Sequence, residues 1–149
     1  APNVMCQLIN RPNFTVTTNV KAVLENGDSC GLIVTGGSYY GLKITKINGK
    51  LIAQQVSYEL TRSEDKEEIV GGSMPLETDQ LYLRLKVSYP NCIESYISTD
   101  NKNYVKIGNT VEYEVSRKSW VGGKIGIYCT SGNSETHKSY AKYDYINVE

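Results

Sequence analysis

The sequence predicts an all-β fold, an antiparallel β-sandwich or barrel, formed by a single domain over residues 1–149. Apolar and polar residues alternate with a period of two along much of the chain. Glycine, asparagine and proline turn signals separate these segments at short intervals. No window of about eleven residues holds a helical period, and no linker or internal repeat divides the chain.

Six regions follow one another as predicted strands. They are "FTVTTNVKAVL" (14–24), three apolar runs within 30–60, "QLYLRLKVSY" (80–89), "CIESYIST" (92–99), "GKIGIYCT" (123–130) and "HKSYAKYDYINVE" (137–149). The pairs Gly36-Gly37 and Asn48-Gly49 separate the three runs, and the second is a strong signal for a two-residue hairpin turn. We predict that the acidic stretch "RSEDKEE" (62–68) is a solvated loop, with a short helix as the alternative.

Charge and hydropathy exclude several classes of partner. Sixteen basic and sixteen acidic side chains cancel, so no field favours nucleic acid or an anionic membrane. No apolar stretch approaches the ~20 residues that span a bilayer. The first residues lack the pattern of a signal peptide. We nevertheless expect an extracellular location, with a cytoplasmic one as the alternative if the protein belongs to an intracellular enzyme.

The cysteines predict a fold without cross-links. No two of the four form a CxxC pair, and His137 is the only histidine, which argues against a structural zinc site. Cys30 and Cys129 lie in apolar runs that suit buried thiols. We expect free thiols, because a chain of this length does not need cross-links to fold. Two disulfides, with three connectivities, are the alternative.

The polar stretch 98–103 separates the predicted strand "CIESYIST" from a further predicted strand that begins near Tyr104, and it has a local explanation. Asp and Asn side chains accept hydrogen bonds from backbone N–H groups just ahead, and Asn tolerates a positive φ. We therefore interpret Ser98, Asp100, Asn101 and Asn103 as a tight turn. The alternative makes Asp100 a calcium ligand or a catalytic carboxylate.

Ordered motifs over most of the chain resemble one known family, the concanavalin A-like β-sandwich appended to family 43 glycoside hydrolases such as β-xylosidases. That family has "LR(V/I)", "S-x-D-G-x-x-W" with "IG" shortly after, "G-x-x-V-G-L-Y" and "A-x-F-D". The matching positions are Leu83–Leu85, Ser98–Asn101 with Tyr104 and Ile107-Gly108, Lys124–Tyr128, and Ala141–Asp144. Upstream, "CQLINRPNFTVTTNVKA" and "CGLIVTGGSYYGLKI" are similar to two further strands of the family.

The resemblance implies a sandwich of the concanavalin A-like, jelly-roll type with an accessory role. In such enzymes the catalytic carboxylates lie on a separate propeller domain. Asn101 replaces the family's turn glycine and Tyr104 its tryptophan, and both are conservative changes. The family has several strands before the "Q-R" segment, near which this sequence starts. The chain is therefore expected to be trimmed, to be a minimal form, or to borrow a strand from a partner.

The sequence contains no motif that assigns a catalytic residue. Glycoside hydrolysis needs two carboxylates about 5–10 Å apart. Sandwich hydrolases place them in patterns such as E-x-D-x-x-E, and the nearest approach, at 77–82, lacks the last acid. His137 has no nucleophile motif nearby. We therefore predict that the chain is not an enzyme by itself.

Two places offer the aromatic rings and planar polar groups that recognise sugars. The first is the strand face opposite the leucines of 80–89, with Tyr128 and Lys43 added if the neighbouring strands are in register. The second is a set of loops with Tyr39 and Trp120. The predicted ligand-binding residues are Tyr82, Arg84, Lys86, Tyr128, Trp120 and Tyr39. The competing structural interpretations are a pair between Arg84 and Glu94 and a core position for Tyr40.

A structural calcium ion is a further prediction, with Asp144 as the best placed ligand and Asp28 as the second. No D-x-D-x-D-G loop supports it. The sequence thus favours a non-catalytic carbohydrate-binding or accessory module of a plant polysaccharide-degrading glycosidase. Xylan- or arabinan-type ligands and a catalytic glycosidase domain as partner are expected by analogy. The alternative is a structural domain that packs on a catalytic domain and binds no sugar.

Overall fold

The computed structural model describes residues 3–60, 66–113, 123–132 and 138–149, and these form two antiparallel sheets packed face to face. In chain order the strands are β1 (Asn3–Leu8), β2 (Phe14–Val23), β3 (Ser29–Thr35), β4 (Tyr39–Ile47), β5 (Lys50–Tyr58), β6 (Ile69–Pro75), β7 (Gln80–Ser88), β8 (Cys92–Ser98), β9 (Val105–Glu112), β10 (Lys124–Thr130) and β11 (Tyr140–Val148). The predicted all-β sandwich is confirmed. No helix in the described part of the chain is long and apolar enough to cross a membrane.

The six-stranded sheet has the order β1-β10-β3-β4-β5-β6, and the five-stranded sheet has the order β11-β2-β7-β8-β9. Strand alternation places one face of each sheet in the shared core. The inward residues of β7 are fully buried, as its leucine pattern predicts. The largest buried side chains are Val16, Val20, Leu32, Val34, Leu42, Ile44, Val56, Leu81, Leu83, Leu85, Val87 and Ile93.

The predicted strands correspond to observed ones, and two strands were not predicted. The hairpin at Asn48-Gly49 has the positive φ values, 50° and 78°, that its sequence requires. Strands β1 and β6 escaped prediction because both are outer strands whose exposed residues give no clean alternation. Of the acidic stretch 62–68, residues 62–65 lie outside the described part of the chain.

The four cysteines are free thiols, as expected. Cys30 is buried and pairs in register with Cys129 on the adjacent strand. Burial raises the pKa of the Cys30 thiol to about 12, and the neighbouring Cys129 adds to the effect. Cys30 is therefore a neutral core residue at physiological pH, as the apolar sequence around it indicates.

Candidate functional site

A cleft crosses the outer face of the six-stranded sheet around Tyr128 of β10. Its volume is about 370 Å³, and its described lining residues are Val4, Ser29, Ile33, Thr35, Tyr39, Lys43, Glu68, Tyr128 and Thr130. We call it the Tyr128 cleft. The strand register brings Tyr128 opposite Gly31, and Gly31 opposite Lys43. A Cβ atom at Gly31 would lie 3.0 Å from the Tyr128 ring, so the missing side chain leaves room for that ring on the sheet.

The polar wall of the Tyr128 cleft is a linked set of three side chains. The Lys43 ammonium donates to Glu68 Oε1 at 2.6 Å, and the Tyr39 hydroxyl donates to Glu68 Oε2 at 2.5 Å. Lys43 and Glu68 are each about one quarter exposed, so the pair is accessible at its edge. The Tyr39 ring also stacks on Tyr58, with 5.2 Å between centroids. This packing fixes the ring that carries the hydroxyl donor.

Both tyrosines of the Tyr128 cleft are neutral hydrogen-bonding groups. Burial raises the pKa of Tyr39, and the hydrogen bond to Glu68 and the charge of that carboxylate raise it further. Burial also raises the pKa of Tyr128 well above its ordinary value. Glu68 is the one carboxylate among the described lining residues. The cleft thus offers a ring, a hydroxyl and a compensated ion pair, which suit hydrogen bonding to a neutral polar ligand.

A second candidate surface lies on the outer face of the five-stranded sheet. We call it the Arg84 cluster, and its members are Asn19, Tyr82, Arg84, Tyr104 and Tyr145. The register places Asn19 opposite Tyr82, and the outward positions of β7 alternate with its buried leucines. Arg84 Nε donates to Thr17 Oγ1 at 2.9 Å, and its guanidinium carbon lies 3.7 Å from the Tyr104 ring centroid. The last contact is a cation–π interaction.

The polar turn 98–103 positions the ring beneath Arg84. Asp100 Oδ1 accepts from the backbone N–H groups of Lys102 and Asn103 at 2.8 Å each, and Asn101 has a φ of 60°. The Tyr104 hydroxyl donates to Asn101 Oδ1. The backbone hydrogen bonds from Asn103 and Lys102, in that order, hold the pKa of Asp100 below its ordinary range. The predicted tight turn is confirmed, and its structural effect is to hold Tyr104 on the sheet.

The two calcium-ligand candidates lie in different settings. Asp28 is completely buried; its Oδ1 accepts from the Gly132 N–H at 2.7 Å and its Oδ2 from the Ser139 hydroxyl. Asp144 is exposed and lies 3.8 Å from the Lys142 ammonium. Among the described residues, no group of three or more His, Cys, Asp or Glu side chains could hold a metal ion. The calcium site stays a prediction, and Asp28 has a structural role independent of it.

Two expectations about where the candidate residues lie were wrong. Tyr128 and Lys43 do not extend the face of Tyr82, Arg84 and Lys86, because β10 and β4 belong to the other sheet. Tyr39 is not a loop residue, since it begins β4.

The predicted pair between Arg84 and Glu94 does not form. Glu94 instead accepts from Lys106 at 2.9 Å, and its register partner on β7 is Lys86. The core position of Tyr40 is confirmed, with 4% of the residue exposed. Trp120 lies outside the described residues.

Sequence reasoning missed three contributors to these surfaces. Glu68 was included in a solvated loop, but it is the acceptor of the Tyr128 cleft. Asn19 was hidden in a strand rich in Thr and Val. Tyr145 faces outward because the register of β11 shifts between Tyr143 and Ile146, and no local residue pattern reveals such a bulge.

The family model of the beta xylosidase C-terminal concanavalin A-like domain matches residues 1–149. The chain belongs to this family. A search of curated proteins finds no match.

Three solved structures show the same fold at low sequence identity. An engineered GH43 glycoside hydrolase with endo-xylanase and exo-arabinofuranosidase activity superimposes with a TM-score of 0.87 at 15% identity, over 98% of this chain and 30% of its own. The GH43 protein BlXynB from Bacillus licheniformis gives 0.82 at 17%, over 98% and 29%. A bifunctional GH43-CE protein of Bacteroides eggerthii gives 0.82 at 19%, over 99% and 19%. This chain thus spans less than a third of each of these proteins.

Proposed function

We propose that this chain is the non-catalytic accessory sandwich of a GH43-type glycoside hydrolase that degrades plant polysaccharides of the xylan or arabinan class. Its family membership and its superposition on less than a third of GH43 enzymes support the accessory role. The endo-xylanase and exo-arabinofuranosidase activities of one of those enzymes support the substrate class by analogy. In this proposal the sandwich also contacts the polysaccharide directly.

The observation that carries direct sugar contact is the Tyr128 cleft. An aromatic ring accepts the C–H face of a sugar, and fixed polar groups beside it bond to the hydroxyls. Tyr128 supplies the ring, while Tyr39, Lys43 and Glu68 supply the polar groups. Since Lys43 and Glu68 compensate one another, a neutral oligosaccharide suits this cleft better than an acidic one.

A packing role without sugar binding is the second candidate, and strand β1 favours it. All six of its residues are exposed, and Val4, Met5 and Leu8 are 47%, 68% and 58% exposed. An edge strand with exposed apolar side chains is typical of a protein interface. In this alternative the strand packs on a catalytic domain. The two roles differ in whether the isolated sandwich binds sugar.

The test is calorimetric titration of the chain with xylo-, arabino-, gluco- and fructo-oligosaccharides. We expect saturable binding to the xylo- or arabino-series. Lys43→Gln and Tyr128→Leu should weaken it about tenfold, the loss that follows from removing one charge-assisted hydrogen bond or one ring contact. Tyr89→Ala is the matched control, because Tyr89 is an exposed tyrosine that does not line the cleft. A folded chain that binds no member of the panel would contradict sugar binding and favour the packing role.

A further inference from the structure

We propose that the Arg84 cluster is a second, separate ligand site that recognises the carboxylate of an acidic sugar, such as a uronic acid branch on a polysaccharide. The proposal rests on the proposed function in one respect, that the ligand is a saccharide. Its location and its charge requirement are independent of the Tyr128 cleft, which lies on the other sheet.

No described side chain neutralises the positive charge of Arg84. In the described part of the chain its side chain contacts Thr17 through Nε and the Tyr104 ring through the guanidinium face, and it forms no ion pair. These two contacts fix the plane of the guanidinium without neutralising it. A fixed guanidinium with free terminal N–H groups is the arrangement that binds a carboxylate with two parallel hydrogen bonds.

Two carboxylates on the same face pair with cations, and Asp100 next to Tyr104 accepts hydrogen bonds within its own turn. Glu94 accepts from Lys106 at 2.9 Å, and Lys86 is its register partner on the adjacent strand. Asp144 lies 3.8 Å from Lys142. Arg84 and Lys86 are therefore the cations of β7 that form no ion pair with a described carboxylate, which favours an anionic ligand over a neutral one.

Asn19 provides an independent sign of an absent ligand group. Only 5% of the residue is exposed, and its Oδ1 atom has no hydrogen-bond partner among the described residues. Leaving a buried carbonyl oxygen unpaired is unfavourable, so such an atom in a polar cluster indicates a missing donor. Asn19 points outward between Thr18 and Val20, whose side chains enter the core. A hydroxyl next to the bound carboxylate would supply that donor.

Three tyrosines surround these polar groups and give the site its saccharide character. Tyr82 lies across the strand pair from Asn19. The register shift in β11 leaves Asp144 and Tyr145 across from Asn19. Tyr145 is 40% exposed, and the Thr18 hydroxyl donates to its carbonyl oxygen at 2.6 Å. Tyr104 completes the set beneath Arg84. Rings of this kind suit the C–H face of a sugar, whereas a simple inorganic anion would not need them.

The experiment compares a xylo-oligosaccharide that carries one glucuronic acid branch with the neutral oligosaccharide of the same backbone, both titrated calorimetrically. We expect the acidic ligand to bind about tenfold more tightly, the usual gain from a charge-assisted contact. Arg84→Met should remove that preference while leaving the affinity for the neutral ligand unchanged. Lys21→Met is the matched control, because it removes an exposed positive charge from the same face, and Lys21 is neither a member of the cluster nor the partner of Asp144.

Two additional measurements test whether the guanidinium geometry matters and whether the ligand is a protein. Arg84→Lys retains the charge and the stem but not the fork, so it should lose part of the preference, and it replaces Arg84→Met if that variant fails to unfold cooperatively. An Asp/Glu-rich peptide tests whether the surface instead docks protein.

Equal affinity for the two sugars, an unchanged preference in Arg84→Met, or tighter binding of the peptide than of the acidic sugar would overturn the proposal. The neutral sugar alone reports on the Tyr128 cleft. Its failure to bind would count against the proposed function and not against this site.

Discussion

At the scale of single residues, two aspartates differ in their burial and in how far along the chain their hydrogen-bond donors lie. Asp100 is exposed and accepts hydrogen bonds within its own turn, from residues two and three positions ahead. Asp28 is buried and accepts from residues 104 and 111 positions away. The first pattern can be predicted from sequence because it is local. The second cannot, since it depends on how β11 and the preceding segment return to the β2–β3 turn.

The turn aspartate predicts a dependence of stability on pH. Because the pKa of Asp100 in the folded chain lies below its ordinary value of 3.8, the ionised side chain stabilises the fold above that pH. This contribution is lost as the pH falls below 3.8 toward the folded pKa. We expect Asp100→Asn to be less stable than wild type at pH 7, with a gap that narrows below pH 3.8. Urea unfolding at several pH values measures the gap, and a constant gap would contradict the mechanism. Glu77→Gln controls for removing an exposed acid.

The buried aspartate predicts a larger effect that does not need low pH. Asp28→Asn should lower the free energy of unfolding by about 2 kcal/mol, because an amide NH₂ replaces an acceptor oxygen that faces the Gly132 N–H or the Ser139 hydroxyl. Asp144→Asn is the control and should change stability by less than about 0.5 kcal/mol, since Asp144 is exposed. Equal losses would contradict the structural role of Asp28. A calcium chelator that lowers the unfolding midpoint of wild type, but not of Asp28→Asn, would establish Asp28 as a calcium ligand.

At the scale of elements, alternation predicts which residues of a strand share a face but not which strands lie beside it. The pattern of β7 correctly separates its buried leucines from Tyr82, Arg84 and Lys86. It does not reveal that β10 pairs with β3 and β1, far away in sequence, and so joins the other sheet. For the same reason the grouping of Tyr128 with Arg84 was wrong. Sequence thus predicted most of the strands and several residues of the candidate surfaces, whereas the surface that each residue joins depends on long-range register.

Tyr143 links the two sheets, and its hydroxyl predicts how firmly β11 supports the Tyr128 cleft. The hydroxyl lies 2.9 Å from both the N–H and the carbonyl oxygen of Gly31, and 2.8 Å from the Tyr128 carbonyl oxygen. Tyr143→Phe should cost about 1–2 kcal/mol of unfolding free energy, because these backbone groups lose a partner.

The matched control for Tyr143 is Tyr140→Phe on the same strand, since Tyr140 is 51% exposed. We expect no measurable change there in chemical denaturation. If the two variants were equally stable, the hydroxyl of Tyr143 would not be linking the sheets. A cleft that depends on this link should also lose affinity for its neutral ligand in Tyr143→Phe, although Tyr143 does not line it.

At the scale of the whole molecule, net charge and unprotected edge strands together determine whether copies of the chain associate. The chain has a net charge of zero and a sequence pI of about 6.8, so electrostatic repulsion between copies is weak near neutral pH. Strand β1 is an outer strand that pairs on one side only, and its residues "NVMCQL" include no charge or proline. Charged residues and proline usually protect an edge strand from pairing with another chain. The other outer strand of this sheet, β6, does end in Pro75.

These features predict that the isolated chain self-associates through β1 near pH 7, and that charge on this strand prevents it. We expect Leu8→Glu and Met5→Lys to shift the chain toward monomer, because each places a charge where two edges would meet. Leu60→Glu is the matched control, since Leu60 is 63% exposed but lies outside the strands. Light scattering over a concentration series measures the effect. A wild-type chain that stays monomeric, or an equal response to Leu60→Glu, would contradict the assignment of β1 as the association surface.

If a catalytic domain covers β1 in the whole enzyme, the same two substitutions should weaken the association of separately produced sandwich and catalytic domains, whereas Leu60→Glu should not.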